Sequence, residues 1–198
     1  MTELTNMTIA RSELILGGQR SGKSRRAEIL ARSWLALSPR HEAVLIATGQ
    51  PWDDEMRARI ARHQLDRAER VPGMRTHEEP LSLPEALATC SNPHTLVVVD
   101  CLTLWLTNHL MPIENDESKR PPAHTIQGLT AILSGAIASA AGPVIVVGNE
   151  IGLGVIPMGR DTRDFVDALG RLNQEVAAVC TRVTLMVAGL PLTLKEPS

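Results

Sequence analysis

One stretch constrains this chain more than any other: Leu14-Ile15-Leu16 followed by Gly17-Gly18-Gln19-Arg20-Ser21-Gly22-Lys23-Ser24. A short apolar run of strand character enters a glycine-bounded turn. A helix is then predicted through Arg25-Arg26-Ala27-Glu28-Ile29-Leu30 and on to Leu37. The spacing G-x-x-x-x-G-K-S lets backbone N–H groups close around phosphate oxygens. In that pattern Lys23 reaches the β/γ-phosphates and the Ser24 hydroxyl ligates Mg²⁺. The helix that follows turns its unpaired N–H groups and partial positive charge toward the same anion. This stretch therefore predicts a bound nucleoside triphosphate, with the strand before it and the helix after it that such a loop needs.

The rest of the chain alternates in the same way. Ala43–Thr48, Thr95–Asp100, Pro143–Val147 and Val183–Ala188 are nearly all apolar, the pattern of strands buried on both faces. Leu190–Leu194 extends or pairs with the last of them, and Met74–Glu79 is a short extended candidate. Helices are expected from Asp53 to Arg67, Ser82 to Thr89, Leu102 to Leu110, Thr125 to Ala141 and Asp161 to Arg182. The carboxylates of Asp53, Asp54 and Glu55 suit a helix start. Together these predict an α/β fold of P-loop NTPase type, one mostly parallel sheet with helices on both faces. A single domain over residues 12–198 is expected, preceded by a short polar extension over residues 1–11.

Composition narrows the partners. A formal charge of −2 without a basic block excludes nucleic acid as the main partner. With one Phe, three Trp and no Tyr, the core is aliphatic and base-stacking platforms are absent. Cys90, Cys101 and Cys180 lack the spacing of a disulfide framework or a zinc site, and Cys101 and Cys180 read as buried free thiols. There is no secretory signal and no stretch long enough to span a membrane, so a soluble, cytoplasmic chain is expected.

Three regions carry candidate chemistry. Asp100 ends an apolar strand, an arrangement that brings a carboxylate to the crevice where a phosphate loop holds Mg²⁺. Ser24 and Asp100 are thus the expected metal ligands. On the helix from Asp53 to Arg67, Met56, Ile60 and His63 share a face, and most of the arginines lie on the opposite faces. A histidine can attack phosphorus, and Arg59, Arg62 and Arg67 could neutralise the attacked phosphate. From spacing alone, however, a lone histidine on a basic helix reads as a surface residue. Gly148-Asn149-Glu150-Ile151-Gly152-Leu153-Gly154-Val155-Ile156-Pro157 forms a loop at the carboxyl end of a strand, where α/β sheets bind ligands. Asn149 and Glu150 also fit simple loop capping.

These blocks carry a resemblance. The phosphate loop, Ile46-Ala47-Thr48, Asp54-Glu55-Met56 with Arg59-Ile60 and His63, Val99-Asp100-Cys101-Leu102-Thr103, the Asn149–Gly154 loop with Pro157, and Gly170-Arg171-Leu172-Asn173-Gln174 occur in this order. The sequence resembles the bifunctional adenosylcobinamide kinase / adenosylcobinamide-phosphate guanylyltransferase family of cobalamin biosynthesis, from about Leu14 to Lys195. The resemblance implies two reactions. In the first, ATP or GTP phosphorylates adenosylcobinamide. In the second, a histidine takes GMP from GTP and passes it to adenosylcobinamide phosphate, giving adenosylcobinamide-GDP and pyrophosphate. It places the guanylylated histidine at His63 and nucleotide contacts at Gly17 to Ser24, at Ala47, Thr48 and Gly49, and at Gln64, Leu65, Asp66 and Arg67. Single acids match at Glu78 and Asp100. A homo-oligomer, a trimer, is also implied. The chain departs from the family pattern at Gly148, where a hydroxyl residue is common, at Gln19, where a small residue is usual, and in the Pro112–His124 loop. Two other readings stay open on the residues alone: a small-molecule P-loop kinase without a covalent step, and a non-catalytic nucleotide-binding module.

Overall fold

A computed structural model describes residues 8–51, 53–111, 123–155 and 157–197, apart from the side chains at 59, 123 and 124. Trp52, Ile156 and most of the Pro112–His124 loop therefore lie outside the described residues.

The apolar runs form the expected strands: β1 (Ser12–Gly17), β2 (Glu42–Ala47), β4 (Thr95–Asp100), β5 (Val144–Val147) and β6 (Arg182–Val187), joined by β3 (Arg75–Glu78) and β7 (Leu190–Lys195). They make one seven-stranded sheet in the order β3-β2-β4-β5-β1-β6-β7. Every pairing is parallel except β6 with β7. The helices are α1 (Lys23–Leu37), α2 (Asp54–Arg70), α3 (Leu83–Cys90), α4 (Leu102–Leu110), α5 (Ala123–Ser139) and α6 (Arg160–Val179).

Strand periodicity divides the core between the two sheet faces. Val97 and Val99 of β4 pack with residues of α3, α4, α5 and α6, whereas Leu96 and Val98 pack on the α1 side with Ala27, Leu30 and Ala31. Both faces are covered, as the continuous apolar runs require.

α5 runs two residues earlier at both ends than expected, and two other helix ends differ from expectation by about a turn. α6 stops at Val179 instead of reaching Arg182, because Thr181 exchanges hydrogen bonds with Ser12: each backbone N–H donates to the other's hydroxyl. That fastens the next residues to β1 as a strand. α2 continues one turn past Arg67 to Arg70, which pairs with Glu28 of α1. Its start is as expected, since the Asp53 carboxylate accepts from the Met56 N–H at 2.7 Å. At the amino end, Ala10 is buried and Arg11 donates to the Ala138 carbonyl, so the last residues of the polar extension are part of the fold.

A buried ionic cluster fixes α1 to the sheet. Glu13 on β1 is 1% exposed and accepts from Arg26 of α1 at 2.9 Å and from the Thr184 hydroxyl of β6 at 2.8 Å, with Arg182 at 3.5 Å. Between β6 and β7, Ala188 and Gly189 both have positive φ, the two-residue type I′ hairpin turn. The Gly189 N–H donates to the Ser21 carbonyl, so this turn supports the phosphate loop from outside.

Candidate active site

β1 ends at Gly17, where φ is +152° and an added Cβ would lie 2.6 Å from the Met186 carbonyl. Only glycine fits, and the chain is released into a loop with Arg20 in the left-handed region and Gly22 at φ +102°. Gly18, Gln19 and Arg20 are exposed at the loop's crest. Lys23 is buried beneath it, and its Nζ donates to the carbonyls of Gly17 at 3.0 Å and Gly18 at 2.6 Å. The Ser21 hydroxyl is buried and has no hydrogen-bond partner among the described residues. A buried donor without an acceptor, inside a cationic loop at a helix N-terminus, fits an incoming phosphate oxygen.

The expected metal pair is brought together: the Ser24 hydroxyl donates to Asp100 Oδ2 at 2.9 Å. These are hard oxygen donors, suited to Mg²⁺ that keeps waters and phosphate oxygens as its other ligands. Among the described residues no group of three or more His, Cys, Asp or Glu could hold a metal ion. Thr48 braces this arrangement. It is fully buried, its hydroxyl accepts from the Cys101 N–H and donates to the Cys101 carbonyl, and its own N–H donates to the Asp100 carbonyl. The Thr48 side chain therefore fixes the strand end that carries Asp100.

The blocks of residues 47–49, 64–67 and 78 meet at the same sheet edge. Ala47 lies between Asp100 and Glu78 in register, Gln64 of α2 donates to Glu78 at 3.3 Å, and an added Cβ on Gly49 would lie near Ile60. Two side chains are not brought in. Leu65 is 70% exposed, and Asp66 is paired with Arg70 along α2.

Among the arginines of α2, Arg67 falls on the Met56–Ile60–His63 stripe, four residues after His63. Arg67 is 9% exposed and turned inward, donating to the Thr76 hydroxyl at 3.2 Å. Burial pulls its guanidinium below the usual range, and Asp100 and then Glu28 oppose that shift. Two carboxylates lie beneath the helix at this point, and the pattern of α2 by itself does not show them. Met56 and Ile60 are half-buried, while His63 on the same stripe is exposed, with no hydrogen bond or ion pair among the described residues.

The 149–157 loop is pinned at its base. The Asn149 N–H donates to the Thr103 hydroxyl, its carbonyl accepts from Asn173, and the Glu150 N–H donates to the Gly17 carbonyl. The Glu150 carboxylate caps the Gly152 N–H, the simple loop role. Ile151, Leu153 and Val155 are exposed on this loop, as is Met158 just after it.

The sequence profile of cobinamide kinase / cobinamide phosphate guanyltransferase matches residues 13–194. The chain belongs to this family. It is 46% identical over 187 residues to the bifunctional adenosylcobalamin biosynthesis protein CobP of Pseudomonas aeruginosa, covering 93% of this chain and 98% of that protein. It is also 35% identical to the bifunctional adenosylcobalamin biosynthesis proteins CobU of Escherichia coli K12 and Salmonella typhimurium LT2, in each case covering 92% of this chain and 98% of the relative. A solved structure from Pyrococcus horikoshii OT3 shares the fold, with a TM-score of 0.53 at 11% identity, covering 97% of this chain and 89% of the other.

In this member of the cobinamide kinase / guanyltransferase family, three residues at the site escape a reading by motif. Asn108 of α4 donates to the carbonyls of Thr48 and Pro80, closing the end of β2 against the β3–α3 connection. Glu28 and Arg70 form an ion pair between α1 and α2 at 3.2 Å. For Glu28 there was a usable clue: it is an acid on the stripe of α1 that also carries Ala27, Leu30 and Ala31, all buried. No helix of the described residues is long and apolar enough to cross a membrane.

Proposed function

We propose that this chain performs both reactions of its family through one phosphate cradle, with His63 as the covalent guanylyl carrier. The observation that carries this reading is the docking of α2 on the metal pair. Arg67 lies beside Asp100, and His63, one turn earlier on the same stripe, is exposed and unpartnered among the described residues.

In the kinase step, the hydroxyl of adenosylcobinamide attacks the γ-phosphorus of ATP or GTP. The bond from that phosphorus to the bridging oxygen of the nucleoside diphosphate breaks, the diphosphate leaves with its electrons, and the hydroxyl proton passes to water. Lys23 and the loop N–H groups hold the phosphates in line and offset the developing charge. Mg²⁺, held by Ser24 and Asp100, would supply further charge neutralisation at the phosphates.

In the guanylyl step, an imidazole nitrogen of His63 attacks the α-phosphorus of GTP. Pyrophosphate leaves with the electrons of the broken P–O bond, and GMP remains as a phosphoramidate. A phosphate oxygen of adenosylcobinamide phosphate then attacks that phosphorus, the N–P bond breaks, and adenosylcobinamide-GDP is released. Gly49, Gln64 and Glu78 are the nearby groups available to the nucleoside end.

The same reading takes residues 12–198 as one catalytic domain acting in the cytoplasm on a small corrinoid, not on nucleic acid. It takes the working form as a homo-oligomer, a trimer. Support for assembly is the apolar surface of Val187, Leu190 and Leu192, which are 54–70% exposed and contiguous through cross-strand pairing.

Incubation with α-³²P-GTP and Mg²⁺ tests the covalent step. Label that survives denaturation, is acid-labile and alkali-stable, and is absent from His63→Ala is the expected result. Adenosylcobinamide phosphorylation without any protein label would leave a kinase and remove His63 from the mechanism.

A further inference from the structure

Helix α2 is seated in an unusual way. None of the buried apolar residues of the core lies within Asp54–Arg70; its inward stripe offers only half-buried Met56 and Ile60, before Val71 is buried just beyond its end. Hydrophobic burial, the usual fastening of a helix to a sheet, is thus largely missing. What remains is polar: Gln64 to Glu78, Arg67 to Thr76, and two cationic side chains three residues apart directed at α1.

Their target is Glu28. It is 9% exposed, and its Oε2 accepts from Arg70 Nη1 at 3.2 Å. It stands one turn after Ser24 on α1, so the two share a helix face. Ser24, Glu28, Arg67 and Asp100 line one cavity of about 10 Å³, room for a single water. Two carboxylates, Asp100 and Glu28, therefore share the buried Arg67, and only one of them belongs to the metal pair. When a divalent cation neutralises Asp100, Arg67 loses one counter-charge and gains a cationic neighbour. Glu28 is the acid that remains to hold it.

We infer that Glu28 is a positioning residue: it fastens the helix that carries His63 to the phosphate-binding helix, and keeps it seated when metal occupies the Ser24–Asp100 pair. The inference rests on the reading of His63 as the guanylyl carrier for its catalytic consequence, but not for its structural one. Guanylyl transfer depends on where α2 sits, whereas the kinase cradle is built from β1, α1 and β4. Glu28 thereby couples the two halves of the site.

The test compares wild type, Glu28→Gln, Glu28→Asp and Arg70→Gln by amide hydrogen exchange, without nucleotide and with Mg²⁺ and a non-hydrolysable GTP analogue, alongside both activities. In Glu28→Gln the amides of α2 should exchange about tenfold faster, most clearly with Mg²⁺–nucleotide, while those of α1 and β4 stay as in wild type. GMP labelling should slow about tenfold and adenosylcobinamide phosphorylation less than threefold. Glu28→Asp, which keeps the charge, should recover most of the labelling. Arg70→Gln alters the partly exposed end of the pair and should reproduce the loosening of α2 even if Glu28→Gln folds poorly. Unchanged α2 exchange in both Gln variants, or equal losses in both activities that Glu28→Asp does not relieve, would overturn the inference. Absence of GMP label in wild type would count against His63 instead, and the exchange data would still decide on Glu28.

Discussion

At Gly17 the main chain passes so close to the Met186 carbonyl that a methyl group has no room, and its φ of +152° is one that side chains rarely adopt. Gly17→Ala should therefore cost about 2 kcal/mol or more, lowering Tm by about 4–8 °C. It should also weaken nucleotide binding, because the carbonyl that receives Lys23 moves with it. Calorimetric titration with GTP beside a thermal melt checks both effects; a variant with wild-type Tm would show that the contact is relaxed in solution. At this scale the motif residues were legible because a spacing rule ties them to one another. Asn108 and Glu28 obey no such rule: each serves the site through a partner distant in sequence, Asn108 through the Thr48 and Pro80 carbonyls and Glu28 through Arg70.

Among the elements, the β6–β7 hairpin shows how local chemistry and site geometry meet. Its turn requires positive φ at both central residues, yet Ala188, at φ 51°, occupies the first. Ala188→Asn creates the favoured Asn-Gly turn and should stabilise the protein by about 0.5–1 kcal/mol, raising Tm by about 1–4 °C. Since Gly189 supports Ser21, the change should leave kinase activity intact; a fall in Tm would contradict the turn assignment. Strand edges follow similar logic. β7 carries Pro191 and a bulge where Val183 pairs with Lys195 but Thr184 with Thr193, features that discourage pairing with another chain. The buried strands were readable from their apolar runs. The acids that meet Arg67 were not, because a 3.6-residue period reports which residues share a face and not what lies opposite it.

For the whole molecule, the two buried thiols set a limit at high pH. Burial, with a smaller push from Asp100, raises Cys101 to about 11, and burial raises Cys180 to about 12, against an ordinary value of 9.0. Above about pH 9 the unfolded chain releases protons that the native state keeps, so stability must fall as pH rises from there toward the native values. Melts from pH 8 to 10.5 should show Tm declining above pH 9, with a shallower decline in Cys180→Ser; a flat profile would mean that the thiols ionise freely in the fold. By itself the sequence determined the alternation of apolar strands and helices, the phosphate loop with its lysine and serine, and the family, because each is written in local spacing or in ordered blocks. Tertiary structure alone decided that Thr48 braces the strand end that carries Asp100, that Arg67 lies between two acids, and that α2 is held to α1 by charge instead of apolar burial. Those facts depend on which side chains from separate elements share one water-poor space, and no periodicity along a chain encodes that.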